Sequence, residues 1–268
     1  MRTLFALLTV ILLSGCSNFS YFKDRSVPIG EPPTRQDSPV KHMMSAVPPI
    51  EGKKITIAVY GFTDKTGQRK PNDRIANLSS AVTQGAEVWV IQGLQTVGNE
   101  GWFEVVERIG MDHLIKERQL IRNTREVYEK EIKRGPTPLK PMLFAGIILE
   151  GGIVGYDSNN VVGGAGARYL GIGTQTEYRV DTVTVSMRLV SVSTGRVLMS
   201  IATQKTIASH RSGADVFKFL DMGTKLVETE AGYSVNEPVN YAVRAAIEAG
   251  IVELVYEGER KGLWKFRK

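Results

Sequence analysis

The stretch Val161 to Asp181, V-V-G-G-A-G-A-R-Y-L-G-I-G-T-Q-T-E-Y-R-V-D, decides how the chain is read. After Gly173 it alternates strictly: Thr174, Thr176, Tyr178 and Val180 fall on one face, and Gln175, Glu177, Arg179 and Asp181 on the other. Period two is the mark of a strand with two unlike faces. A strand of about 9 to 11 residues with an apolar face and a charged face suits a barrel wall between lipid and water. It equally suits a solvent-exposed β-arm on a soluble protein, and periodicity alone leaves both open.

A second candidate, Ser209 to Ser234, carries a turn signal at Asp221-Met222-Gly223. Read through that turn, Phe217, Phe219, Val227, Thr229, Ala231 and Tyr233 share one face, with Lys218, Leu226, Glu228 and Glu230 opposite. The expected lipid face is therefore Tyr178, Val180, Phe217, Phe219, Val227 and Tyr233. The expected lumen face is Gln175, Glu177, Arg179, Lys218, Glu228 and Glu230. Gly171-Ile172-Gly173 is the expected tip of the first hairpin. Two hairpins cannot close a barrel by themselves, and each unsatisfied backbone group in lipid costs several kcal/mol. Membrane entry would thus require neighbouring copies to pair edge to edge around a ring with a water-filled lumen.

Composition narrows the field. The 268 residues are 42% hydrophobic, enough for one substantial core and too little for a helical membrane bundle. The formal charge of +6 becomes +5 without the first 15 residues, leaving 33 basic against 28 acidic side chains. So mild an excess, without a Lys/Arg block or zinc spacing, argues against a nucleic-acid partner.

In chain order, residues 1–15 carry one positive charge, then L-F-A-L-L-T-V-I-L-L, and end at Leu13-Ser14-Gly15-Cys16. This reads as an export signal with a lipobox, in which the Cys16 thiol takes a diacylglycerol and becomes the new N-terminus. The apolar run is too short to span a bilayer. Ser17, rather than an aspartate, favours the outer membrane. Cys16 is the sole cysteine, so no intramolecular disulfide can form. Residues 16–49, with Pro28, Pro32, Pro33, Pro39, Pro48 and Pro49, read as a lipidated tether.

The body, residues 50–158, 182–208 and 235–268, reads as an exported α+β domain carrying the two candidate hairpins, 159–181 and 209–234. Lys54 to Phe62 and Trp102 to Glu107 are predicted strands. Leu78 to Val97 is a predicted helix with Ala81, Val82, Val88, Trp89 and Ile91 on its apolar face. The polar loop Asp64 to Asn77 is long enough to suggest a function. Met111 to Arg122 is predicted helical, Arg122 to Pro141 a charged insertion, and Leu143 to Tyr156 an apolar strand. Thr182 to Ala208 is a predicted hairpin turning at Ser193-Thr194-Gly195. Asn236 and Pro238 open a final helix with a stripe of Val239, Val243, Ala246, Ile247, Leu254 and Val255.

Enzyme chemistry finds no foothold. Lys65-Thr66-Gly67 and Ser20-x-x-Lys23 stand in the wrong order for a serine acyltransferase, and Gly164-Ala165-Gly166 lacks the third glycine of a dinucleotide loop. His42, His113 and His210 have no metal-ligand spacing. The Glu117-Arg118 pair reads as a surface or subunit-contact charge. The reading is a non-enzyme without metal or cofactor, apart from the lipid on Cys16.

The chain resembles the curli secretion channel family, CsgG, over nearly its whole length. The resemblance rests on the lipobox, Asp64-x-Thr66-Gly67-Gln68-x-Lys70-Pro71, Glu117-Arg118 with Ile121-Arg122, Glu150-Gly151 and Gly155-Tyr156. It continues at Gly166-Ala167-Arg168-Tyr169, Gly171-Ile172-Gly173, Val192-Ser193-Thr194-Gly195, Gly232-Tyr233, Asn236-Glu237-Pro238-Val239 and Gly262-Leu263-Trp264. It implies an outer-membrane lipoprotein with a periplasmic vestibule, forming a nonameric ring whose shared barrel has about thirty-six strands. It also implies secreted amyloid subunits, exported unfolded without ATP, and periplasmic and surface accessory proteins as partners. In that family the loop after the first strand lines a constriction with a tyrosine and an asparagine-phenylalanine pair. The matching stretch here supplies Asn72 or Asp73, then Asn77 and Leu78, so the aromatic lining is absent. The competing class is a periplasmic binding lipoprotein on the same body, an adhesin anchor or cell-wall synthase activator without a pore.

Overall fold

The β-branched run I-T-I-A-V in Ile55–Asp64 (β1) starts a sheet because its alternate side chains, Ile57 and Val59, are wholly buried. In this computed structural model residues 32–33, 35–69, 81–132, 139–162, 172–218, 227–235 and 239–267 are described. Ser38–Lys268 makes one compact unit, with Met1–Asp37 as the other. The further elements of the larger unit are α1 (Lys41–Ala46), α2 (Glu87–Glu100), β2 (Phe103–Val106), α3 (Met111–Ile132), β3 (Ile147–Val162), β4 (Ile172–Ser191), β5 (Val197–Lys218), β6 (Val227–Val235) and α4 (Val239–Arg260). The fold is mixed α+β, with one six-stranded sheet in the order β2-β1-β3-β4-β5-β6. β1 is parallel to β2 and β3, and the remaining neighbours are antiparallel.

One face of the sheet is covered by α2 and α4. Val90, Leu94 and Val97 of α2 and Val243, Ala246, Ile247, Ile251, Leu254 and Val255 of α4 are buried against Leu149, Ile153, Val183, Val185, Met187, Leu189, Met199 and Ile207. On the strands these residues recur at every second position, as one buried face demands. Two bulges keep the pattern in step. β1 gains a residue against β3 between Val59 and Phe62, which returns Phe62 to the core, and β3 shifts between Ile153 and Gly155, which does the same for Tyr156. A Cβ on Gly151 would run into the Phe62 ring and the Ser186 carbonyl, so only glycine admits this crossing.

Several sequence expectations change here. The helix expected from Leu78 begins at Glu87, with Ala81–Ala86 non-helical. It buries Val90 and Leu94, whereas Val88 is 52% exposed. The helix ends as Gly98 and Asn99 turn left-handed (φ 59° and 54°); a Cβ on Gly98 would meet the Trp102 indole. The charged stretch after Arg122 continues α3 to Ile132, since a chain with no proline before Pro136 and with spaced acidic and basic residues can stay helical in water. Asn236 and Pro238 lie outside the described residues.

The last third of the expected tether also belongs to the body. Met44 and Val47 are buried, Trp102 donates its Nε1–H to the Pro48 carbonyl at 2.8 Å, and Ile50 bridges to Phe266. Backbone bonds from Glu51 to Lys265 and from Arg267 to Pro49, each 2.8 Å, tie this entry segment to the C-terminal tail. Trp264 sits over Gly258, donates to the Val255 carbonyl at 2.8 Å, and meets Trp102 edge to face at 5.8 Å. The same body holds a buried ion pair: Arg244 Nε donates to Glu248 Oε1 at 2.9 Å, and the Ser38 hydroxyl donates to Glu248 Oε2 at 2.6 Å.

Removing one member of a buried pair costs about 3–5 kcal/mol, and truncating a buried tryptophan a similar amount. Glu248→Ala and Trp264→Ala should each lower the denaturant midpoint in tryptophan or circular-dichroism unfolding curves. Ser38→Ala, which removes a single hydrogen bond, should cost about 1–2 kcal/mol.

Candidate functional site

The strands outlast the helices that cover them. Core burial extends to Tyr156 on β3, Asp181 on β4 and Ile207 on β5. Beyond that level β3 continues to Val162, β4 returns from Ile172, β5 continues to Lys218, and β6 returns from Val227. The last pair between β1 and β3 is Asp64 with Ile153, so from there outward the sheet is a ribbon of β3, β4 and β5, which β6 joins from His210↔Val235, while the β3–β4 pairing reaches Val162↔Glu177. β3 and β5 run away from the body while β4 and β6 come back. The two expected hairpins are thus one continuous ribbon, because β4 and β5 pair without a shift from Leu189↔Met199 to Ile172↔Val216. Ile172 and Gly173 are paired residues of β4 and not a tip; the connection falls within 163–171, outside the described residues.

Directly paired residues on antiparallel strands share a face. The register therefore sorts the ribbon into two faces. Gln175, Glu177 and Arg179 share a face with Ser209, Arg211, Gly213, Asp215 and Phe217, and with Glu228, Glu230, Gly232 and Ser234. The other face carries Ile172, Thr174, Thr176, Tyr178 and Val180, then Ala208, His210, Ser212, Ala214, Val216 and Lys218, then Val227, Thr229, Ala231, Tyr233 and Val235. One face thus holds Glu177, Arg179, Arg211, Asp215, Glu228 and Glu230. The other, among the described residues of β4, β5 and β6 in the ribbon, holds Lys218 as its one Lys, Arg, Asp or Glu.

Two sequence assignments change with the register. Phe217 pairs with Glu228 and so joins the charged face; Lys218 pairs with Val227 and joins the apolar one. The reason is parity: odd residues of β5 oppose even residues of β6, so a face followed through the turn by counting twos comes out on the wrong side. Phe219 lies outside the described residues.

Residues 70–80, and with them Asn72, Asp73, Asn77 and Leu78, lie outside the described residues. The segments that flank that stretch come together beside Asp64, the last residue of β1. Its Oδ1 accepts from the Thr66 amide (2.8 Å) and hydroxyl (2.6 Å), and its Oδ2 accepts from Gln84 Nε2 at 3.1 Å. The Ala81 amide donates to the Gln68 carbonyl at 2.9 Å. Nothing in the sequence pairs Gln84 with Asp64, because the contact depends on how the chain returns. Cys16 lies outside the described residues. Among the described residues no group of His, Cys, Asp and Glu could hold a metal, and no helix is long and apolar enough to cross a membrane.

An α+β body whose sheet runs on into a four-strand ribbon with one apolar and one charged face defines the class of protein. The family model described as "Curli production assembly/transport component CsgG" matches residues 41–268. The protein of that description from Escherichia coli (strain K12) is 39% identical over 264 residues, covering 98% of this chain and 91% of its own length. That from Salmonella typhimurium (strain LT2) shows the same identity and coverage. The chain belongs to the CsgG family. A solved structure of a PelC dodecamer from Paraburkholderia phytofirmans is 16% identical, with 60% of this chain and 76% of that one covered; its TM-score of 0.25 carries no argument.

Parity is open to a direct test, since Cys16 is the sole cysteine. A lipidated Cys16 would be a thioether inert to maleimide, so in the otherwise wild-type protein in membranes Phe217→Cys should react with a membrane-impermeant maleimide and Lys218→Cys should not. The opposite result would restore the assignment made from the sequence.

Proposed function

We propose that this chain is one subunit of an outer-membrane secretion channel, which exports unfolded curli-type amyloid subunits from periplasm to cell surface by diffusion, without ATP. Membership of a family described as a curli assembly/transport component supports the secretion role. The observation that carries the channel reading is the division of the ribbon into one apolar and one charged face.

The physical argument runs through the ribbon's edges. β3 beyond Ile153 and the outer side of β6 have no partner strand among the described residues. In lipid such edges are untenable, and only closure removes them. β3 leaves the body and β6 returns to it, so β6 of one copy against β3 of the next is an antiparallel junction. Closure around a ring then gives a barrel with four strands per subunit and the charged face toward water. A nonameric ring is the assembly proposed. β4 beyond the buried Asp181 runs nine residues, from Val180 to Ile172, and a tilted membrane strand needs about 9 to 11.

In this reading residues 1–15 are a signal peptide and Cys16 carries the lipid. The tether is shorter than its prolines suggest, since the chain is packed from Met44. Asn72, Asp73, Asn77 and Leu78 form the constriction, held at its base by Asp64. The channel needs neither metal nor cofactor, and periplasmic and surface accessory proteins give transport its direction.

The protein purified in detergent from outer membranes should migrate as a heat-modifiable oligomer and conduct ions in planar bilayers. Cys16→Ala should lose the lipid and assemble poorly. A Cys16→Ala protein recovered without detergent as a stable monomer, together with a wild type that conducts nothing, would defeat the proposal. Asn77→Ala and Leu78→Ala should change single-channel conductance; unchanged values in both would take that stretch out of the pore.

A further inference from the structure

The charged face of the ribbon is not uniform along its length. Nearest the body, one row beyond the buried Asp181 of the same face, stands Arg179, paired with Ser209. The next row outward pairs Glu177 with Arg211, so its charges cancel. Then comes Gln175 with Gly213, and beyond it the register sets Asp215 opposite Glu230, followed by Glu228 opposite Phe217. Among the described residues of this face beyond the buried Asp181, the balance per chain runs from one positive charge near the body, through neutrality, to three negative charges outward. Rows two residues apart are about 7 Å apart at ~3.4 Å per residue, so Arg179 and the Asp215–Glu230 row are separated by about 20 Å. The Debye length is about 8 Å at 0.15 M salt. Arg179 therefore does not neutralise the far carboxylates, and the two zones act separately.

Like charges directly opposite across a ladder repel, and no basic residue at an adjacent described row of this face offsets them. The cost is lowest where mobile counter-ions are admitted. Resting on the channel reading above, we propose that the end of the pore remote from the body is a cation-favouring collar built from Asp215, Glu228 and Glu230. With three carboxylates from each subunit it favours small cations and cationic stretches of an exported polypeptide over anionic ones. Rings of acidic side chains act in this way in cation channels, and a field lining a low-dielectric wall concentrates counter-ions. Because a barrel of this size is wide, the preference is strong where the Debye length, about 30 Å at 0.01 M, reaches across the lumen; it fades at 1 M, where that length is about 3 Å.

The test is the reversal potential of single channels in planar bilayers under a KCl gradient centred near about 0.01 M. Wild type should be cation-selective. The triple variant Asp215→Asn, Glu228→Gln, Glu230→Gln should lose at least about half of the cation-over-anion permeability ratio. Spermine should block wild type at lower concentration from the side remote from the body. Channels that conduct with equal ratios in wild type and triple variant would overturn the collar and leave the channel intact; a wild type that never conducts would overturn the channel reading instead. Should the triple variant fail to assemble, spermine sidedness in wild type decides, and equal block from both sides overturns the collar.

Discussion

Burial of Met187 and Ile207 under α4 sets the face of every residue in the ribbon. Both are odd-numbered residues on strands that pair without a register shift from Leu189↔Met199 outward, so the odd residues of β4 and β5 stay on the helix-covered side along the whole ladder. A slip of one residue would expose the core side chains below and bring Glu177, Arg179 and Arg211 to the apolar side above. Core packing, worth about 1.5–3 kcal/mol for each large apolar side chain, thereby determines the polarity of strands that it never touches. On β3 the Ile153–Gly155 shift keeps the same arrangement, since Tyr156 is buried and the even residues above it continue that face.

The body meets this demand by fastening its two ends together. The entry segment around Pro49 and the tail around Phe266 exchange backbone hydrogen bonds, and Trp102, Trp264 and Phe266 close over the junction at centroid distances of 5.7 and 5.8 Å. Chain ends fray where nothing holds them. Here the segment from Ser38 to Ile50 is held by Glu248, Trp102 and the tail. The surface ion pairs of Arg260 with Glu253 and Glu257 add little, being solvent-screened. They do hold the Glu257 carboxyl below its usual range through hydrogen bonds from Arg260 and Lys261.

Much of this was legible in the chain. The alternation of Gln175 to Asp181 identified the faces of β4, and Ser193-Thr194-Gly195 marked the turn into β5, where Gly195 takes φ +69°. What failed did so for physical reasons. Phe217 and Lys218 exchanged faces because parity across a turn depends on the number of residues in the turn, which strand periodicity does not contain. Val88 looked like a core residue because it is apolar; the angle at which α2 meets the sheet buries Val90 and Leu94 instead. The charged run after Arg122 read as an insertion, yet it continues α3 to Ile132, since a helix exposed on most sides carries charge at little cost. The hydrogen bond from Ser38 to Glu248 of the buried ion pair spans 210 residues, a distance at which no local pattern operates.

The same geometry separates the two tasks of the proposed channel. Four strands of alternating direction, repeated around a ring, satisfy every backbone group whatever the side chains inside, so the wall tolerates a free choice of lumen residues. Selectivity can then be placed at two levels without disturbing closure. One is the stretch from residue 70 to residue 80, whose flanking segments come together beside Asp64 where β3 parts from β1. With Asn77 and Leu78 in place of an aromatic collar, this level would discriminate by width and by amide hydrogen bonding. The other is the proposed collar of Asp215, Glu228 and Glu230, which would discriminate by charge. A polypeptide leaving the periplasm would meet them in that order, with neutral rows of Glu177 with Arg211 and Gln175 with Gly213 between the collar and Arg179. Since the two levels differ in kind, one set by size and one by salt-dependent field, a change at either leaves the other intact.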